Sequence, residues 1–345
     1  MTDVQFIQGG GTRPTTVRRV FVTGASGYVG RNVVRHFVAK GVQVVGLVRR
    51  TDAEAVVRAA NAEAVLGDIL DPSIARVMAG CDALVHAAAD TDHGLGGDVQ
   101  RKVNEDGTRN VFAAARAAGI SAAIHLSSDS VLADGNPIVK ASEAQPYPKR
   151  PAGSYSRTKA AAERSALTFN SPQMRVIVLR PRMVWGRDDT TALPMLVHMA
   201  RTGQLAWISG GQYQTSSTHI DNLCHGIDLA FQRGRGGEIY FITDGEPTAF
   251  RTIVTEMLET QGIVAPDKIV PRAVVKLVAR VGQFAGKVSR GRIVPPLTMQ
   301  AFATSAVEIT LDIGKARREL GYEPIVDRAS GMADLRETFA RFSDG

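Results

Sequence analysis

The chain has 345 residues, of which 44% are hydrophobic and 22% are charged, a composition that excludes collagen-like, disulfide-rich and intrinsically disordered classes. Its length allows one large domain or two smaller ones. Forty-one Lys and Arg against 34 Asp and Glu give a formal charge of +7, but the basic residues are scattered, so nucleic-acid binding is not predicted.

Cysteine usage and hydrophobic patterning indicate a cytoplasmic protein. Cys81 and Cys224 have no nearby cysteine partner, so we predict free thiols. No apolar run reaches the roughly 18 residues that a transmembrane helix needs. Residues 1–17 lack the apolar core of a signal peptide and are expected to form a flexible polar arm. The seven histidines show no metal-ligand spacing, and we predict no metal site.

Over residues 18–180, short β-branched segments alternate with alanine-rich segments of helical periodicity. This alternation predicts βαβ units, hence an α/β fold with a Rossmann-type, doubly wound parallel sheet that forms a dinucleotide-binding domain. The predicted strands are Arg19–Thr23, Gln43–Val48, Ala62–Leu66, Ala83–His86, Ala122–Ser127 and Arg175–Leu179. The main predicted helices are Tyr28–Ala39, Val99–Ala118 and Tyr155–Phe169.

Beyond Arg180 the segments shorten and Gly and Pro become frequent. We predict a smaller, mostly helical C-terminal substrate region made of residues 181–220 and 243–345. Between these two parts, a helix at Asp221–Gln232 and a strand at Glu238–Ile242 are expected to rejoin the first sheet, so residues 221–242 are assigned to the dinucleotide-binding domain.

A glycine-rich segment joins the first predicted strand to the first predicted helix. The sequence TGASGYVG over 23–30 places Gly24, Gly27 and Gly30 in a GxxGxxG pattern. Glycines here allow a tight turn, close approach to a pyrophosphate and close packing of helix on strand, while the helix N-terminus offers free N–H groups to the anion. The flanking strand and helix favour a dinucleotide site over a plain turn.

The end of the second predicted strand indicates which dinucleotide binds. Many such folds carry a carboxylate there that hydrogen bonds to the ribose of NAD, but this chain has Val48, Arg49 and Arg50. Two guanidiniums can pair with the 2′-phosphate of NADP. NADP(H) is therefore favoured and NAD(H) stays open; the alternative is that both arginines lie on a solvated strand end.

Tyr155 and Lys159 are four residues apart in a predicted helix, so one helical face presents both side chains. A phenol with an ordinary pKa near 10 is a poor base until a neighbouring ammonium favours the phenolate. With Lys159 beside it, Tyr155 could exchange a proton with an alcohol oxygen. The pair alone also fits a solvated helix face, but its position after five βα units favours chemistry.

Together, several motifs resemble the extended branch of the short-chain dehydrogenase/reductase superfamily, which includes nucleotide-sugar epimerases and 3β-hydroxysteroid dehydrogenases. The resemblance covers about residues 18–330. Its motifs are TGASGYVG at 23–30, GDILD at 67–71, HAAA at 86–89, NEDGTRN at 104–110, Ser127-Ser128 with Tyr155 and Lys159, and LRP at 179–181. The segment HIDNL at 219–223 looks like the family's segment near the substrate cleft.

The resemblance implies roles for further residues. Ser128 would be the catalytic hydroxyl because it stands three before Val131, with Ser127 and Ser130 as alternatives. Asn104 would hold local geometry and water near the lysine. The implied cofactor site comprises Gly24, Ser26, Gly27, Tyr28, Val29, Gly30, Arg49, Arg50, Asp68, Ile69, Ala87, Ala88, Ala89, Tyr155, Lys159, Pro181, Met183 and Val184.

Two departures from the nucleotide-sugar pattern direct the functional prediction. Leu132 follows Val131 where those enzymes have Tyr-Gly, and Val48 replaces the acidic residue that selects NAD. Residues 180–194 look most like the hydroxysteroid branch. We therefore predict an NADP-preferring oxidoreductase that interconverts a ketone and a secondary alcohol on a bulky apolar, sterol-like or polyketide-like substrate. A nucleotide-sugar epimerase or dehydratase is the alternative, and a non-catalytic NADP-sensing protein is a third.

Residues 268–292 carry seven basic side chains among apolar ones at helical spacing. Such a cationic amphipathic helix could contact a membrane peripherally or cover an apolar pocket, or simply pack on the second region as a surface helix. The family resemblance also implies that the chain can form a homodimer.

Overall fold

The computed structural model describes residues 17–289, 292–293, 295 and 297–343. The predicted arm at 1–17 lies outside the described residues, apart from Val17. The strands are β1 Arg19–Thr23, β2 Gln43–Val48, β3 Glu63–Leu66, β4 Ala83–His86, β5 Ala122–Leu126, β6 Ile138–Ala141, β7 Arg175–Pro181, β8 Val184–Trp185, β9 Trp207–Ile208, β10 Gln214–Thr215, β11 Thr218–His219, β12 Ile239–Ile242, β13 Thr248–Ala249, β14 Ile269–Val270 and β15 Ile309–Leu311.

The helices are α1 Tyr28–Ala39, α2 Glu54–Arg58, α3 Ile74–Val77, α4 Asp98–Arg101, α5 Thr108–Ala117, α6 Ser154–Leu167, α7 Ala192–Arg201, α8 Ile220–Arg233, α9 Phe250–Glu259, α10 Arg272–Val288, α11 Met299–Ser305, α12 Gly314–Leu320 and α13 Arg328–Ser343. Among the described residues, no helix is both long enough and apolar enough to span a bilayer.

Seven parallel strands form the main sheet in the order β3-β2-β1-β4-β5-β7-β12. The order reverses between β1 and β4, which is the switch point of a doubly wound fold, where the carboxyl ends of the strands leave a crevice for ligands. The predicted Rossmann-type fold is confirmed. Strand β12 extends the sheet beside β7, with Tyr240 opposite Leu179.

Helices cover both faces of the sheet because successive side chains point to opposite sides. Val20 and Val22 pack with the face that carries α1 and α8, whereas Phe21 packs with the face that carries α3 and α5. One cysteine lies in each layer: Cys224 on α8, and Cys81 beside α3. Burial raises the pKa of Cys81 to about 11 and that of Cys224 further still.

The helix predicted at Val99–Ala118 is interrupted. Its middle, Lys102–Gly107, is a π-helix between α4 and α5. The remaining predicted elements agree in type and differ by one or two residues at some ends. Beyond β7, helices are joined by short strands, in a four-stranded sheet of order β13-β10-β15-β6 and two two-stranded sheets, β8-β11 and β9-β14.

Two stacked histidines lie inside the main sheet. His86 on β4 and His125 on β5 are directly paired in the register, and their ring centroids are 5.4 Å apart. His86 bonds to the hydroxyls of Thr23 (2.7 Å) and Thr108 (3.0 Å), whereas neither ring nitrogen of His125 has a partner among the described residues. Burial, with the charge of Lys159, lowers the pKa of His86 to about 3 and that of His125 well below its ordinary value.

These pKa values predict a loss of stability in acid. Between the ordinary histidine pKa of 6.5 and about 3, the unfolded chain binds protons that the folded chain excludes, so the free energy of unfolding falls as pH falls. Each histidine contributes a slope of up to about 1.4 kcal/mol per pH unit. We expect His125→Phe to reduce the slope of the unfolding free energy against pH. Urea unfolding between about pH 6 and 4, which lies within the range from 6.5 to about 3, measures this slope.

The matched control is His198→Phe, since His198 is exposed on α7. It should leave the slope unchanged, and an unchanged slope in His125→Phe would show that burial of this ring does not cause the acid sensitivity.

Candidate active site

The glycine-rich loop after β1 is shaped by contacts that leave no room for side chains. Gly24 has φ of +66°, and a Cβ there would lie 2.9 Å from the backbone of Ala88. A Cβ on Gly30 would lie 2.0 Å from the carbonyl oxygen of Gly24. The N–H of Gly27 donates to that same oxygen at 2.9 Å. The loop therefore packs directly on the chain that follows β4, as a dinucleotide-binding turn requires.

A cavity of about 450 Å³ opens beside this loop at the carboxyl ends of β1, β2 and β4. It brings together many of the residues predicted to bind the cofactor: Gly24, Ser26, Gly27, Arg49, Ile69, Ala87, Ala88 and Ala89. A larger open depression of about 890 Å³ lies at the opposite edge, lined by Arg19, Gln43 and Asp82 among others. We assign ligand binding to the first, because ligands of open α/β sheets bind at the carboxyl ends of the strands.

The other predicted cofactor residues lie outside this cavity lining. Arg50 is exposed and paired with Asp52, and the Asp68 carboxylate accepts the N–H of Leu70 at 2.9 Å. Tyr28 is buried behind the loop. The others are Val29 and Gly30 on α1, Tyr155 and Lys159 on α6, and Pro181, Met183 and Val184 around the end of β7.

Helix α6 carries Tyr155 and Lys159 into the protein interior. Lys159 is 3% exposed, and its Nζ donates to the carbonyl oxygen of Leu126 at 2.7 Å. Burial lowers the pKa of Lys159 to about 8, although Glu163 acts in the opposite direction. This lysine is therefore cationic at neutral pH and held against the end of β5.

Tyr155 is also buried, and its pKa is raised to about 12. Burial is the main cause, the negative charge of Asp129 adds to it, and the hydroxyls of Ser128 and Ser130 lower the pKa. Lys159, which the four-residue spacing suggests as the group that lowers this pKa, is not among the causes of the shift. At neutral pH the phenol is protonated, which suits a proton donor rather than a base.

The serines after β5 differ in their surroundings. Ser128 Oγ accepts the N–H of Ser130 and donates to Asp129, both at 3.1 Å. Ser127 Oγ donates to the buried carboxylate of Glu163 instead. The hydroxyls of Ser128 and Ser130 both act on the pKa of Tyr155, so these two serines lie near its phenol, whereas Ser127 is bonded to Glu163.

Asn104 connects the cavity to helix α6. It lies in the π-helix, where its side-chain oxygen accepts the N–H of Asp90 (2.8 Å) and its amide donates to the Asp90 carbonyl (3.0 Å) and to Thr158 (3.1 Å). Asp90 itself lines the cavity. These bonds fix the loop after β4 against α6, and the role predicted for Asn104 near the lysine stays a prediction.

Two buried ion pairs were not predicted from the sequence. Asp129, directly after Ser128, pairs with Arg182 at 2.7 Å, and Arg182 also donates to Thr215 and Thr304. Glu163 on α6 binds Arg180 of β7 through two hydrogen bonds of 2.5 and 3.0 Å and accepts from Tyr147 at 2.6 Å. A signal for Glu163 was present, because it follows Lys159 by four residues on the same helical face.

His93 is a further residue that the sequence did not indicate. Its ring lies 5.0 Å from the ring of Tyr155, and its carbonyl oxygen accepts the hydroxyl of Thr298 at 2.6 Å. The loop after β4 therefore links Tyr155 to the segment that begins α11.

Comparison with known proteins agrees with this geometry. The model of the NAD dependent epimerase/dehydratase family matches residues 20–243. The 4-hydroxy-2-methyl-3-oxo-4-farnesyl-3,4-dihydroquinoline-1-oxide ketoreductase of Stigmatella aurantiaca is 42% identical over 320 residues, 92% of this chain and 96% of that protein. The 2-alkyl-3-oxoalkanoate reductase of Stenotrophomonas maltophilia is 30% identical, with coverage of 93% and 99%.

A solved structure also matches over almost the whole chain. It is DesIV, a dTDP-glucose 4,6-dehydratase from Streptomyces venezuelae with NAD and TYD bound. The TM-score is 0.74 at 26% identity, and the match covers 94% of this chain and 97% of that one.

The close approach at Gly24 gives a test of the cofactor cavity. Gly24→Ala should raise the Kd for NADPH about tenfold or more, because the displaced loop loses N–H contacts to phosphate. Gly41→Ala is the matched control: Gly41 has φ of +75°, but a Cβ there would meet no atom of the described chain within 4 Å beyond its own neighbours in sequence. Both variants should lose roughly 1–2 kcal/mol of stability from backbone strain, and equal Kd values in fluorescence titration would contradict the assignment.

Proposed function

Because the chain belongs to the NAD-dependent epimerase/dehydratase family and is an oxidoreductase of the extended short-chain dehydrogenase/reductase type, we propose that it reduces a ketone on a bulky apolar substrate, with NADPH preferred. The observation that carries the proposal is the hydrogen bond between Tyr155 and Ser128. Tyr155 lies on the helix that also carries Lys159, and Asn104 joins this helix at Thr158 to Asp90 of the cavity lining. A 42% identical relative over nearly the whole chain is named a ketoreductase, which supports the same reaction class.

The residues around the cavity fit a dinucleotide. Gly24, Ser26 and Gly27 line the cavity, and α1 begins directly after Gly27, so the free N–H groups of its first turn are available to a pyrophosphate. Ile69 and Ala88 supply apolar walls on either side. The bound nicotinamide would supply the hydride that reduces the carbonyl carbon.

The chain's own residues supply the proton and hold the carbonyl. Tyr155 Oη would donate its proton to the substrate oxygen as the alcohol forms, and the raised pKa keeps that proton in place at neutral pH. Ser128 Oγ would donate a hydrogen bond to the same oxygen and stabilise the charge that develops there. Lys159, cationic below its pKa of about 8, would bind the nicotinamide ribose. Its charge would also stabilise the phenolate of Tyr155 that remains after proton transfer.

The preference for NADP rests on Arg49. Arg49 lines the cavity, whereas the guanidinium of Arg50 is exposed and paired with Asp52. Arg49 would therefore be the arginine that pairs with a 2′-phosphate, and Val48 stands where a carboxylate would repel that phosphate.

The proposed substrate is a sterol-like or polyketide-like ketone. The names of the two relatives refer to a farnesylated quinoline oxide and to 2-alkyl-3-oxoalkanoates, which carry a farnesyl group and alkyl groups respectively. The alternative is a nucleotide-sugar dehydratase or epimerase, which the likeness to DesIV favours. Such an enzyme regenerates its nicotinamide in each cycle, so net consumption of NADPH distinguishes the two reactions.

Tyr155→Phe tests the proton donor. We expect turnover of an apolar ketone to fall about 100-fold or more, the range typical of losing a general acid, while the Kd for NADPH stays within about threefold of the wild type. NADPH absorbance and fluorescence titration measure the two effects. Tyr213→Phe is the control, since the hydroxyl of Tyr213 donates to the carbonyl oxygen of Ser305 and not to Ser128 or Ser130. Loss of binding with intact turnover per bound cofactor would contradict the role.

Arg49→Asp tests the cofactor preference. Removing the guanidinium and adding a carboxylate should shift the ratio of kcat/KM for NADPH over NADH by about 100-fold towards NADH, because a charge-assisted pair is replaced by repulsion. Arg76→Asp makes the same charge change at an exposed site on α3 and should leave the ratio unaltered. If both variants keep the wild-type ratio, Arg49 does not contact the 2′-phosphate.

A further inference from the structure

Helix α10, Arg272–Val288, presents an apolar face to solvent. Six large apolar side chains on it are between 42% and 71% exposed. They recur at intervals of one, three or four residues, which places them on one side of the helix. We call this surface the outer face of α10; its residues are Val274, Leu277, Val278, Val281, Phe284 and Val288.

The inner side of α10 is built mostly from small residues, with Val275 also packed against the core. Ala279 is fully buried, a Cβ on Gly282 would lie 2.7 Å from Pro295, and one on Gly286 would lie 2.7 Å from Leu95. A helix that only had to pack on its own protein would turn its large apolar residues inward. Here they point away from the protein, and a contiguous exposed apolar patch of this kind marks an interaction surface.

The charge beside the outer face selects the partner. Lys276 and Arg280 lie on one flank of α10, and the sequence from 268 to 292 contains seven basic residues and no acidic one. Arg280 is exposed. The Lys276 ammonium lies 5.8 Å from the centre of the Phe302 ring on α11. Pairing two copies of this face would bring basic flanks together, whereas anionic lipid headgroups complement them.

We propose that the outer face of α10 docks the protein on an anionic lipid bilayer. The helix would lie parallel to the membrane surface, with its valines, Leu277 and Phe284 among the acyl chains and its basic flank at the headgroups. This docking does not depend on the proposed reaction.

The docked helix adjoins the candidate active site. Leu95, which packs against α10 at Gly286, belongs to the loop that holds His93 against Tyr155. Thr298 at the start of α11 bonds to the same loop. If the proposed function is right, an apolar ketone dissolved in the bilayer would reach the site on the side that faces the membrane.

Co-sedimentation of the full chain with vesicles tests the docking directly. We expect binding to phosphatidylcholine vesicles that contain phosphatidylglycerol, and much weaker binding to pure phosphatidylcholine or at high salt. Leu277→Ser/Phe284→Ser should lower the partition coefficient at least about tenfold, because two large side chains no longer enter the acyl layer. Val139→Ser/Ile325→Ser, at valine and isoleucine side chains 58% and 59% exposed elsewhere, should bind like the wild type.

A charge change tests the headgroup contact separately. Arg280→Glu should weaken binding to the anionic vesicles several-fold, and Arg201→Glu, on the exposed end of α7, should not. Thermal melting and NADPH turnover of a water-soluble ketone should be unchanged in all these variants, so failure of the ketone assay leaves the sedimentation result intact.

Three results would overturn the proposal. The first is no binding to vesicles of either composition. The second is binding that both double variants retain equally. The third is a dimer, seen by analytical ultracentrifugation, that Leu277→Ser/Phe284→Ser dissociates without any vesicle binding by the wild type, which would make a second copy of the chain the partner of this face.

Discussion

The buried carboxylate of Glu163 fixes the geometry on which the candidate site depends. It receives hydrogen bonds from Arg180 on β7, from Ser127 at the end of β5, and from Tyr147. These contacts prevent α6 from rotating or sliding on the sheet. Because Lys159 lies one turn before Glu163 and Tyr155 one turn before that, the ion pair sets the direction of both. A buried pair of this kind contributes little net stability, but breaking it leaves a charge without a partner in the core.

Much of the fold could be predicted from local pattern. The β-branched segments at Arg19–Thr23 and Gln43–Val48 are strands with those bounds, because hydrophobic runs bounded by turn residues report burial on both faces. The π-helix at Lys102–Gly107 could not be predicted. Its residues keep nearly the periodicity of the flanking α-helices, and the interruption depends on contacts such as that between Asn104 and Asp90, which lie 14 positions apart.

The candidate site was predictable where a motif is continuous and not where it is assembled in space. The glycine loop and the Tyr155–Lys159 spacing each lie within a few consecutive residues, so both could be predicted from the sequence. Asp129 and Arg182 are 53 positions apart, and nothing in either neighbourhood signals their pairing. For α10 the amphipathic pattern was visible in the sequence, but its orientation was not, since Ala279 and Gly286 pack inward and, of the valines, only Val275 does.

The placement of the two cysteines has a practical consequence. A thiol reacts with alkylating reagents as the thiolate. Burial and a raised pKa therefore make Cys81 and Cys224 unreactive in the folded protein. Cys224 lies in the layer of α1 and α8, and Cys81 lies in the layer on the other side of the sheet. Alkylation of each must therefore await the opening of its own layer. Mass spectrometry of the peptides that contain Cys81 and Cys224 would measure the opening rates of the two layers separately, without any introduced label site.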